Sequence, residues 1–261
     1  MTPRFTILLP VHRPPVLLPY AVESVRLQSQ TDWELCIICD GAPDATVEAA
    51  KAWADRDPRI TAWVFGKGER LGEAHRDLVL QKARGRFIAQ IADDDLWLIH
   101  HLRELAQLLA TVEFGNLTPI QVDPARPVNC SPFRLDSPEV RARMMESRFN
   151  FFGPSDAGYR LETYRRLPVG WSPAPLDIWT DLFMWRKFLA LEPISIGSRL
   201  SVQTIHLPAS RRNTASLAER EAESRTWMAR IRQGLQFELS ITDRGGMPEV
   251  VGGRAIYEAA Q

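Results

Sequence analysis

The first 112 residues alternate regularly between apolar runs and amphipathic segments, and this alternation limits the folds open to the chain. The apolar runs have the composition of β-strands and lie at 4–11, 33–41, 59–66 and 86–94. The segments that follow them have helical spacing and lie at 19–30, 44–56, 72–84 and 98–112. Strands that alternate with helices in this way predict βαβ units and a mostly parallel sheet. Near-continuous apolar runs also suit strands that helices cover on both faces.

The pattern becomes less regular after residue 112, where Pro-rich turns separate short apolar runs that suit short strands. Helical spacing returns at 137–152, 176–191 and 216–240, and alternation predicts one or two strands within 194–207. The tail, 242–261, holds four of the 15 glycines and is interpreted as a loose end or a docking segment. The simplest organisation is one α/β domain with a C-terminal helical extension.

The charge of the chain does not favour a nucleic-acid-binding function. Lys plus Arg (32) balances Asp plus Glu (32) over 261 residues, whereas a nucleic-acid partner calls for a basic surface. No apolar run approaches the roughly 18–20 residues that span a bilayer. The N-terminus is typical of a first strand and lacks the cleavage site of a signal peptide. We therefore expect a cytoplasmic protein without a transmembrane segment.

The three cysteines, Cys36, Cys39 and Cys130, do not predict a disulfide scaffold. Cys36 and Cys39 form a C-x-x-C pair, which is a redox or zinc motif in other contexts. Here the pair lies in an apolar run with strand character, where a spacing of three points the side chains to opposite faces. No second Cys pair completes a zinc site. We interpret both as buried structural residues.

Polar side chains follow three of the four predicted strands. His12 and Arg13 follow the first strand, Asp40 ends the second, and Asp93–Asp95 follow the fourth. In an open α/β sheet, ligands bind beyond the carboxyl ends of the strands, so we expect these residues to share one rim. Three adjacent carboxylates suit a hard divalent cation. The alternatives are a solvated loop whose Asp94 or Asp95 caps the next helix, and an Asp-Gly turn at Asp40.

Asp181 lies in the aromatic segment "WTDLFMWR". A carboxylate among aromatic side chains has a raised pKa and suits a general base. A charge on the outer face of an amphipathic helix fits the pattern equally well. The chain has no G-x-x-x-x-G-K-[ST], no G-x-G-x-x-G after the first strand and no G-x-S-x-G. The sequence therefore lacks the main signature motifs of P-loop NTPases, dinucleotide-binding dehydrogenases and α/β-hydrolases.

Two long stretches carry a family pattern. The first has an apolar strand ending in Pro10, the helix core "ESVRLQSQ" and the strand end "CDGAPDAT". The second has a Gly, an Ala-Arg-Asn-like segment, a helix ending Ala-x-Gly, and a strand leading to Asp-x-Asp-Asp-x-Trp. Its matching positions are Gly72, Arg76, Asp77, Ala83, Gly85, Asp94, Asp95 and Trp97. Over residues 5–109 the chain closely resembles the family 2 glycosyltransferases, which have the GT-A fold; the resemblance is thin afterwards.

The resemblance implies an inverting, metal-dependent glycosyltransferase. Such an enzyme moves a sugar from a UDP-, GDP- or dTDP-sugar to an acceptor hydroxyl, in the biosynthesis of a polysaccharide, glycolipid or other glycoconjugate. The GT-A domain would span 1–215, with a nucleotide-sugar-binding half at 1–112, an acceptor-binding half at 113–215, and a C-terminal helix and tail at 216–261. A lipid-linked acceptor would require peripheral membrane contact, since no spanning segment is expected.

The same resemblance assigns site residues. The nucleotide-sugar would contact Pro10, Val11, His12, Asp40, Arg70, Arg76, Asp93 and Asp94. The cofactor would be Mg²⁺ or Mn²⁺, with metal ligands Asp94, Asp95 and His206, and it would neutralise the leaving diphosphate. The general base of the family falls on Asp181, with Thr180 where an acidic partner often stands. Asp177 is a rival, four residues earlier on the same predicted helical face.

Some positions remain open or depart from the family. His206 also suits a half-buried strand histidine, and Arg211 and Arg212 would either close over phosphate or face solvent. Ala92 replaces the first Asp of the motif, so the pair of carboxylates that holds the metal is not decided. Ala42 and Pro43 replace a Ser and its neighbour after Asp-Gly, which removes one hydroxyl contact.

Two other functions fit parts of the sequence. A sugar-phosphate nucleotidyltransferase would share the fold but normally has a Gly-rich basic loop after the first strand, and "VHRPPVLLP" contains no Gly. A GT-A-like domain without activity would bind nucleotide-sugar or act in assembly, with the C-terminal helix as its docking surface. The intact Asp triplet and Asp181 weigh against that second alternative.

Overall fold

A computed structural model describes residues 2–123, 126–131, 133–244 and 247–257. The strands are β1 (Phe5–Val11), β2 (Trp33–Asp40), β3 (Ile60–Phe65), β4 (Phe87–Gln90), β5 (Leu96–Trp97), β6 (Phe114–Thr118), β7 (Ile120–Asp123), β8 (Arg126–Cys130), β9 (Ala157–Arg160), β10 (Ile196–Val202), β11 (Thr204–Ile205), β12 (Leu235–Arg244) and β13 (Met247–Tyr257). The helices are α1 (Leu18–Arg26), α2 (Asp44–Arg56), α3 (Glu73–Leu80), α4 (His101–Thr111), α5 (Pro138–Glu146), α6 (Leu161–Tyr164), α7 (Thr180–Leu189), α8 (Ala209–Thr214) and α9 (Leu217–Arg232).

The central sheet has the strand order β10-β6-β9-β4-β1-β2-β3. Strands β4, β1, β2 and β3 run parallel to one another, and β10 runs parallel to β6. Strand β9 lies between β4 and β6 and is antiparallel to both. The mostly parallel α/β sheet that the alternation predicts is therefore confirmed, with one antiparallel strand that the sequence pattern did not reveal.

Helices cover both faces of this sheet, as the continuous apolar strands require. Leu35, Ile37 and Cys39 of β2 pack into one hydrophobic cluster, and Cys36 and Ile38 pack into a second. The two cysteines are thus buried on opposite faces, which confirms their structural interpretation. Burial raises the pKa of Cys36 to about 12 and that of Cys39 to about 11, so both thiols stay protonated at neutral pH.

The sheet brings the polar strand ends to one edge. Strands β2 and β4 flank β1 on either side and run in the same direction, so their carboxyl ends meet. Arg13 follows β1, Asp40 ends β2 and Asp93 comes three residues after β4. Between β1 and β4 the chain order of the strands reverses, which is where open α/β sheets form their ligand crevice.

Several predicted elements have different bounds. Strand β4 ends at Gln90, so Asp93–Asp95 belong to a turn, closed by the Asp95 amide donating to the Ala92 carbonyl at 3.2 Å. Helix α5 ends at Glu146, six residues before its predicted end. Helix α7 begins at Thr180 because Trp179 before it is extended, so the predicted helical start at 176 was wrong. Asp177 therefore does not share a helical face with Asp181.

The C-terminal region also differs from its prediction. Helix α9 ends at Arg232, and residues 235–244 form β12, which pairs with β13 in an antiparallel hairpin. The predicted continuation of the helix to 240 was therefore wrong, and residues 247–257 of the predicted tail form a strand, which leaves its interpretation as a docking segment open. Apolar and polar residues alternate along β12, as in a strand, but its first residues were assigned to the preceding helix. None of the helices in the described ranges is long and apolar enough to cross a bilayer.

Helix α9 is fixed to the first half of the chain. It begins with a capping box, in which the Ser216 hydroxyl accepts from the Glu219 amide and the Glu219 carboxylate accepts from the Ser216 amide. Its buried face includes Met228 and Ile231, which belong to a hydrophobic cluster that also contains Leu96 of β5. The same face carries Arg220 in the first turn, so the packing of the helix determines where this arginine points.

One close backbone approach gives a stability test. A Cβ at Gly85 would lie 2.2 Å from the Thr6 amide nitrogen, whereas a Cβ at exposed Gly66 would have no heavy atom within 4 Å. Since the backbone of β1 has to move to accept it, we expect Gly85→Ala to lower the free energy of unfolding by about 1–3 kcal/mol. Urea denaturation measures this change. Gly66→Ala is the matched control, and an equal loss in both variants would contradict the steric cause.

Candidate functional site

The Asp triplet, Asp93–Asp95, is buried in spite of its charge. The three residues are 3%, 7% and 3% exposed. A carboxylate that leaves water without a charged partner carries a large free-energy penalty, and here three are adjacent. The structure therefore has to supply positive charge and hydrogen-bond donors to this turn.

Arginines from three distant parts of the chain meet at Asp94. Among the described residues, the cations in contact with Asp94 Oδ2 are Arg13 after β1, Arg212 on α8 and Arg220 on α9. Arg13 Nη1 lies 3.1 Å from that oxygen and Arg212 Nε 3.3 Å, while Arg220 Nη2 donates a hydrogen bond to it. Arg220 is itself buried. One carboxylate oxygen is thus the centre of a cluster of guanidinium groups.

Asp95 is held by His206 rather than left free. His206 Nδ1 lies 2.9 Å from Asp95 Oδ1, and its Nε2 lies 2.8 Å from Asp156 Oδ2. Ser155 Oγ donates to Asp95 Oδ2 at 2.6 Å, and Arg212 Nη2 donates to Asp95 Oδ1 at 3.0 Å. His206, predicted as a metal ligand, therefore lies beside the triplet, and carboxylates contact both of its ring nitrogens.

These contacts determine the charge states of Asp95 and His206. Burial favours neutral Asp95, but His206 and Arg212 outweigh it and hold the pKa of Asp95 well below its usual range. Burial also opposes a charged imidazole, yet the carboxylates of Asp95 and Asp156 raise the pKa of His206 well above its usual value. We infer an imidazolium between two carboxylates at neutral pH.

Asp93 differs from its neighbours. Burial raises its pKa to about 7, and the adjacent carboxylates add to this effect while Arg13 opposes it. The Arg13 Nε atom lies 3.1 Å from Asp93 Oδ2 but does not meet hydrogen-bond geometry. Asp93 thus takes up a proton more readily than Asp95 does.

The donor set of this cluster is compatible with a hard cation. Asp94 Oδ1 and Asp156 Oδ1 are buried and accept no hydrogen bond within the described residues. Those residues contain no group of three His, Cys, Asp or Glu side chains that converges as a complete metal site. Mg²⁺ typically takes one or two carboxylates and completes its shell with waters and substrate phosphates. The cluster fits a metal that is shared with a phosphate ligand in this way.

A cavity of about 680 Å³ adjoins the cluster. His206 and Arg212 contribute to its lining and also contact the Asp triplet, and Asp156, which contacts His206, lines it too. Other lining residues come from α3, α7 and the loops around them: Arg70, Arg76, Asn150, Trp171, Trp179, Thr180 and Asp181. The cavity therefore brings four predicted site residues together, Arg70, Arg76, Asp181 and His206.

Asp181 occupies the first turn of α7, in the cavity wall. Its Oδ1 accepts from the Leu182 amide at 2.8 Å, and its Oδ2 accepts from Asn150 Nδ2 at 2.8 Å. Burial raises the pKa of Asp181, and these hydrogen bonds together with Arg76 limit the rise. The rival Asp177 is exposed and does not line this cavity. The environment of Asp181 is the one expected for a general base.

Arg76 is a buried guanidinium with free donors. Its Nε and Nη1 have no acceptor within the described part of the chain, and its Cζ lies 5.0 Å from the centre of the Trp171 ring. Burial lowers the pKa of Arg76 from its usual value, with Glu73 as the largest opposing influence. Arg70, in contrast, is exposed and donates to the Pro175 carbonyl at 3.4 Å. Both line the cavity, but only Arg76 lies deep within it.

The remaining predicted contacts lie at the strand edge, outside this cavity lining. Pro10 and Val11 belong to β1, and the Val11 side chain is buried in the core, so only its backbone is available. His12 is exposed. Asp40 accepts from Lys67 Nζ and from the Gly68 amide, each at 2.6 Å. Burial opposes ionisation of Asp40, but these donors lower its pKa, so Asp40 organises the loop after β3.

Part of the cluster was not predicted from the sequence. Arg220, Ser155, Asp156 and Asn150 were not singled out, and Arg13 was noted only as a polar residue after the first strand. For Arg220 a local signal existed, since the capping box Ser216–Glu219 marks a helix start and ends one residue before it. That signal places the residue on a helix but gives no information on which part of the chain it meets.

Known proteins show the same sequence pattern and fold. A sequence model described as "Glycosyl transferase family 2" matches residues 6–160. The Escherichia coli protein WfgD, a UDP-Glc:alpha-D-GlcNAc-diphosphoundecaprenol beta-1,3-glucosyltransferase, is 27% identical over 97 residues, which cover 37% of this chain and 37% of WfgD. The chain matches between 10% and 37% of the length of its curated relatives.

Solved structures extend the likeness to most of the chain. S. aureus TarS (residues 1–349) has a TM-score of 0.61 at 15% identity, covering 88% of this chain and 69% of that one. The mannosyltransferase PcManGT of Pyrobaculum calidifontis has a TM-score of 0.57 at 17% identity, covering 87% and 70%. These likenesses confirm the predicted GT-A fold. Because the family match runs from β1 to the end of β9 and includes the Asp triplet, the chain belongs to glycosyl transferase family 2.

Proposed function

We propose that the protein is an inverting, metal-dependent glycosyltransferase that moves a sugar from a nucleoside-diphosphate sugar to an acceptor hydroxyl. The observation that carries the proposal is one cavity whose wall contains half-buried Asp181 and which adjoins the buried Asp triplet. The reaction needs both kinds of group. Carboxylates would hold a cation that neutralises the leaving diphosphate, and a base would accept the proton of the acceptor hydroxyl.

The donor proposal takes support from the structural relatives. TarS has been crystallised with UDP and with UDP-GlcNAc, and PcManGT with GDP-Man and Mn²⁺. We propose a UDP-, GDP- or dTDP-sugar for this chain. Pro10, Val11, His12 and Asp40, at the strand edge, would face the base and ribose, and Arg76 in the cavity would face the sugar or its phosphate. Residues 1–112 would thus contribute most donor contacts, and 113–215 most acceptor contacts.

For the metal we propose Asp94 and Asp95 as ligands, with His206 as a third. When bound, Mg²⁺ or Mn²⁺ would neutralise negative charge on the diphosphate. Asp94 has an unpaired, buried oxygen for this purpose. His206 would have to lose a proton and release Asp95 or Asp156 to become a ligand, because both carboxylates contact its ring.

Asp181 is proposed to accept the proton of the acceptor hydroxyl. The hydroxyl oxygen forms its bond to the anomeric carbon on the face opposite the diphosphate, the bond from that carbon to the diphosphate oxygen breaks, and the configuration inverts. Asn150 and the Leu182 amide orient the carboxylate. Trp179, two residues before Asp181 and 45% exposed, lines the same cavity and offers an aromatic face to an acceptor sugar.

The name of one relative supports a class of acceptor. WfgD, by its name, acts on a GlcNAc carried by a diphosphoundecaprenol. We propose a carbohydrate or glycoconjugate acceptor, and a lipid-linked one would approach from a membrane surface. A cavity wall that combines Trp179 with Asp181 and Asn150 suits a hydroxyl-rich ring with one apolar face.

Donor binding gives the first test. We expect Mn²⁺ with at least one of UDP, GDP or dTDP to raise the melting temperature, since a hundredfold excess over Kd stabilises by about 2.7 kcal/mol. Asp94→Ala should lose the metal-dependent part of the shift. Asp177→Ala, which removes an exposed carboxylate, is the control. If none of the three nucleotides shifts the wild type, the donor proposal is wrong.

Turnover gives the second test. Hydrolysis or transfer of the best-binding nucleotide-sugar should fall by roughly 10²–10⁴-fold in Asp181→Asn, because a positioned base contributes that much. Asp177→Asn should retain full activity. Donor binding by Asp181→Asn should be close to wild type. Binding by the wild type without turnover on any donor would instead support a GT-A-like binding module.

The pH profile gives a third test. Asp181 must be ionised to accept a proton, so kcat/KM falls as the pH drops through its pKa, which burial places above the usual range. Asn150 donates a hydrogen bond that lowers this pKa. Asn150→Ala should therefore move the acidic limb of the kcat/KM profile to higher pH. An unshifted limb, with Asp177→Asn as the matched control, would mean that another group is the base.

A further inference from the structure

The guanidinium cluster at Asp94 holds more hydrogen-bond donors than the carboxylates use. The Nε atoms of Arg13, Arg212 and Arg220 are all buried, and none donates a hydrogen bond within the described residues. Two of them lie within ion-pair distance of a carboxylate, Arg13 Nε at 3.1 Å from Asp93 and Arg212 Nε at 3.3 Å from Asp94, but without hydrogen-bond geometry. Buried donors without acceptors are rare in folded proteins and call for an explanation.

The cluster already contains several cationic side chains without any ligand. Four carboxyl groups, Asp93–Asp95 and Asp156, face three guanidinium groups and His206. A divalent cation that entered alone would add two positive charges beside three arginines that already contact Asp94. A diphosphate brings the negative charge that offsets this excess, and its oxygens are the acceptors that guanidinium groups bind best.

Arg220 is placed by packed structure rather than by a loose segment. Its helix begins at the Ser216–Glu219 capping box and is anchored by Met228 and Ile231 in a hydrophobic cluster. The Tyr20 hydroxyl of α1 donates to Glu221, the next residue, at 3.2 Å. A change in the position of the guanidinium therefore needs only side-chain rotation, and the same arginine reaches either Asp94 or a ligand beside it.

We propose that Arg13, Arg212 and Arg220 form the binding site for the donor's diphosphate, and that in its absence they neutralise Asp94 in place of the metal. Each arginine has two positions: on Asp94 in the free protein, and on the diphosphate once a metal has taken Asp94. This proposal rests on the proposed function. It adds that α8 and the C-terminal helix α9 supply part of the donor site.

Two opposite effects follow from this exchange. Arg220 competes with a metal for Asp94, so metal alone binds weakly to the wild type. The same residue attracts a diphosphate, so each ligand favours the other by the same factor, as linkage requires. A residue with a purely structural role would not change the two affinities in opposite directions.

The test uses the full-length protein and two simple probes. Mn²⁺ binding is measured without nucleotide by electron paramagnetic resonance, and binding of inorganic pyrophosphate at saturating Mg²⁺ by calorimetry. In Arg220→Gln we expect Mn²⁺ to bind roughly tenfold more tightly and pyrophosphate roughly tenfold more weakly, as loss of one charge-assisted contact suggests. Arg225→Gln, an exposed arginine on the same helix that contacts Glu221, is the control and should change neither affinity.

Arg212→Gln is the second variant, since its side chain is 32% exposed and the substitution disturbs the packing less. It should show the same pair of opposite changes. The proposal is overturned if both ligands bind more weakly in both variants, if pyrophosphate binding is unchanged, or if Mn²⁺ binding is unchanged. If the wild type bound no nucleoside diphosphate with Mn²⁺, the proposed function would fail, while the Mn²⁺ comparison would still test the competition at Asp94.

Discussion

The burial of three adjacent carboxylates is the constraint on which the site depends. Asp93–Asp95 lie in a turn after a central strand, where water cannot screen their mutual repulsion. Arg13, Arg212 and Arg220 offset it from the first strand and from two C-terminal helices. Removing one partner of a buried ion pair typically costs about 3–5 kcal/mol, so the cluster joins distant parts of the chain at the same point where it prepares a ligand site.

Local pattern was sufficient to predict the first half of the fold. Helix α2 runs over the 44–56 that its spacing indicated, and β1, β2 and β3 lie within a residue or two of their predicted bounds. Each of these elements has its own periodicity and its own end signals. The shared edge of β1, β2 and β4 then follows from the parallel topology, which is why Arg13, Asp40 and the Asp triplet could be grouped from the strand order alone.

Long-range contacts could not be predicted in the same way. Arg220 meets Asp94 across 126 positions of sequence, and nothing in the composition of α9 indicates that one of its many charges is buried. Asn150 was assigned to the end of a helix that stops at Glu146, so its contact with Asp181 was not considered. Asp177 seemed equivalent to Asp181 only because the helical spacing was extended past Trp179, whose backbone is extended. In each case the tertiary environment of a residue depends on contacts that residue type and local spacing do not reveal.

The aspartates of the site show how environment divides one residue type among several tasks. Asp95 has a lowered pKa because an imidazolium and a guanidinium outweigh its burial, so it stays charged and holds cations. Asp181 is half-buried, and its hydrogen bonds come from an amide side chain and a backbone amide, so desolvation outweighs them and the nearby Arg76 and raises its pKa. A permanent anion suits the positive side of the site, and a weaker acid suits a group that must take up and release a proton in each cycle. On the proposed function, the cation-holding carboxylates and the base thus have separate environments, one beside the cavity and one in its wall.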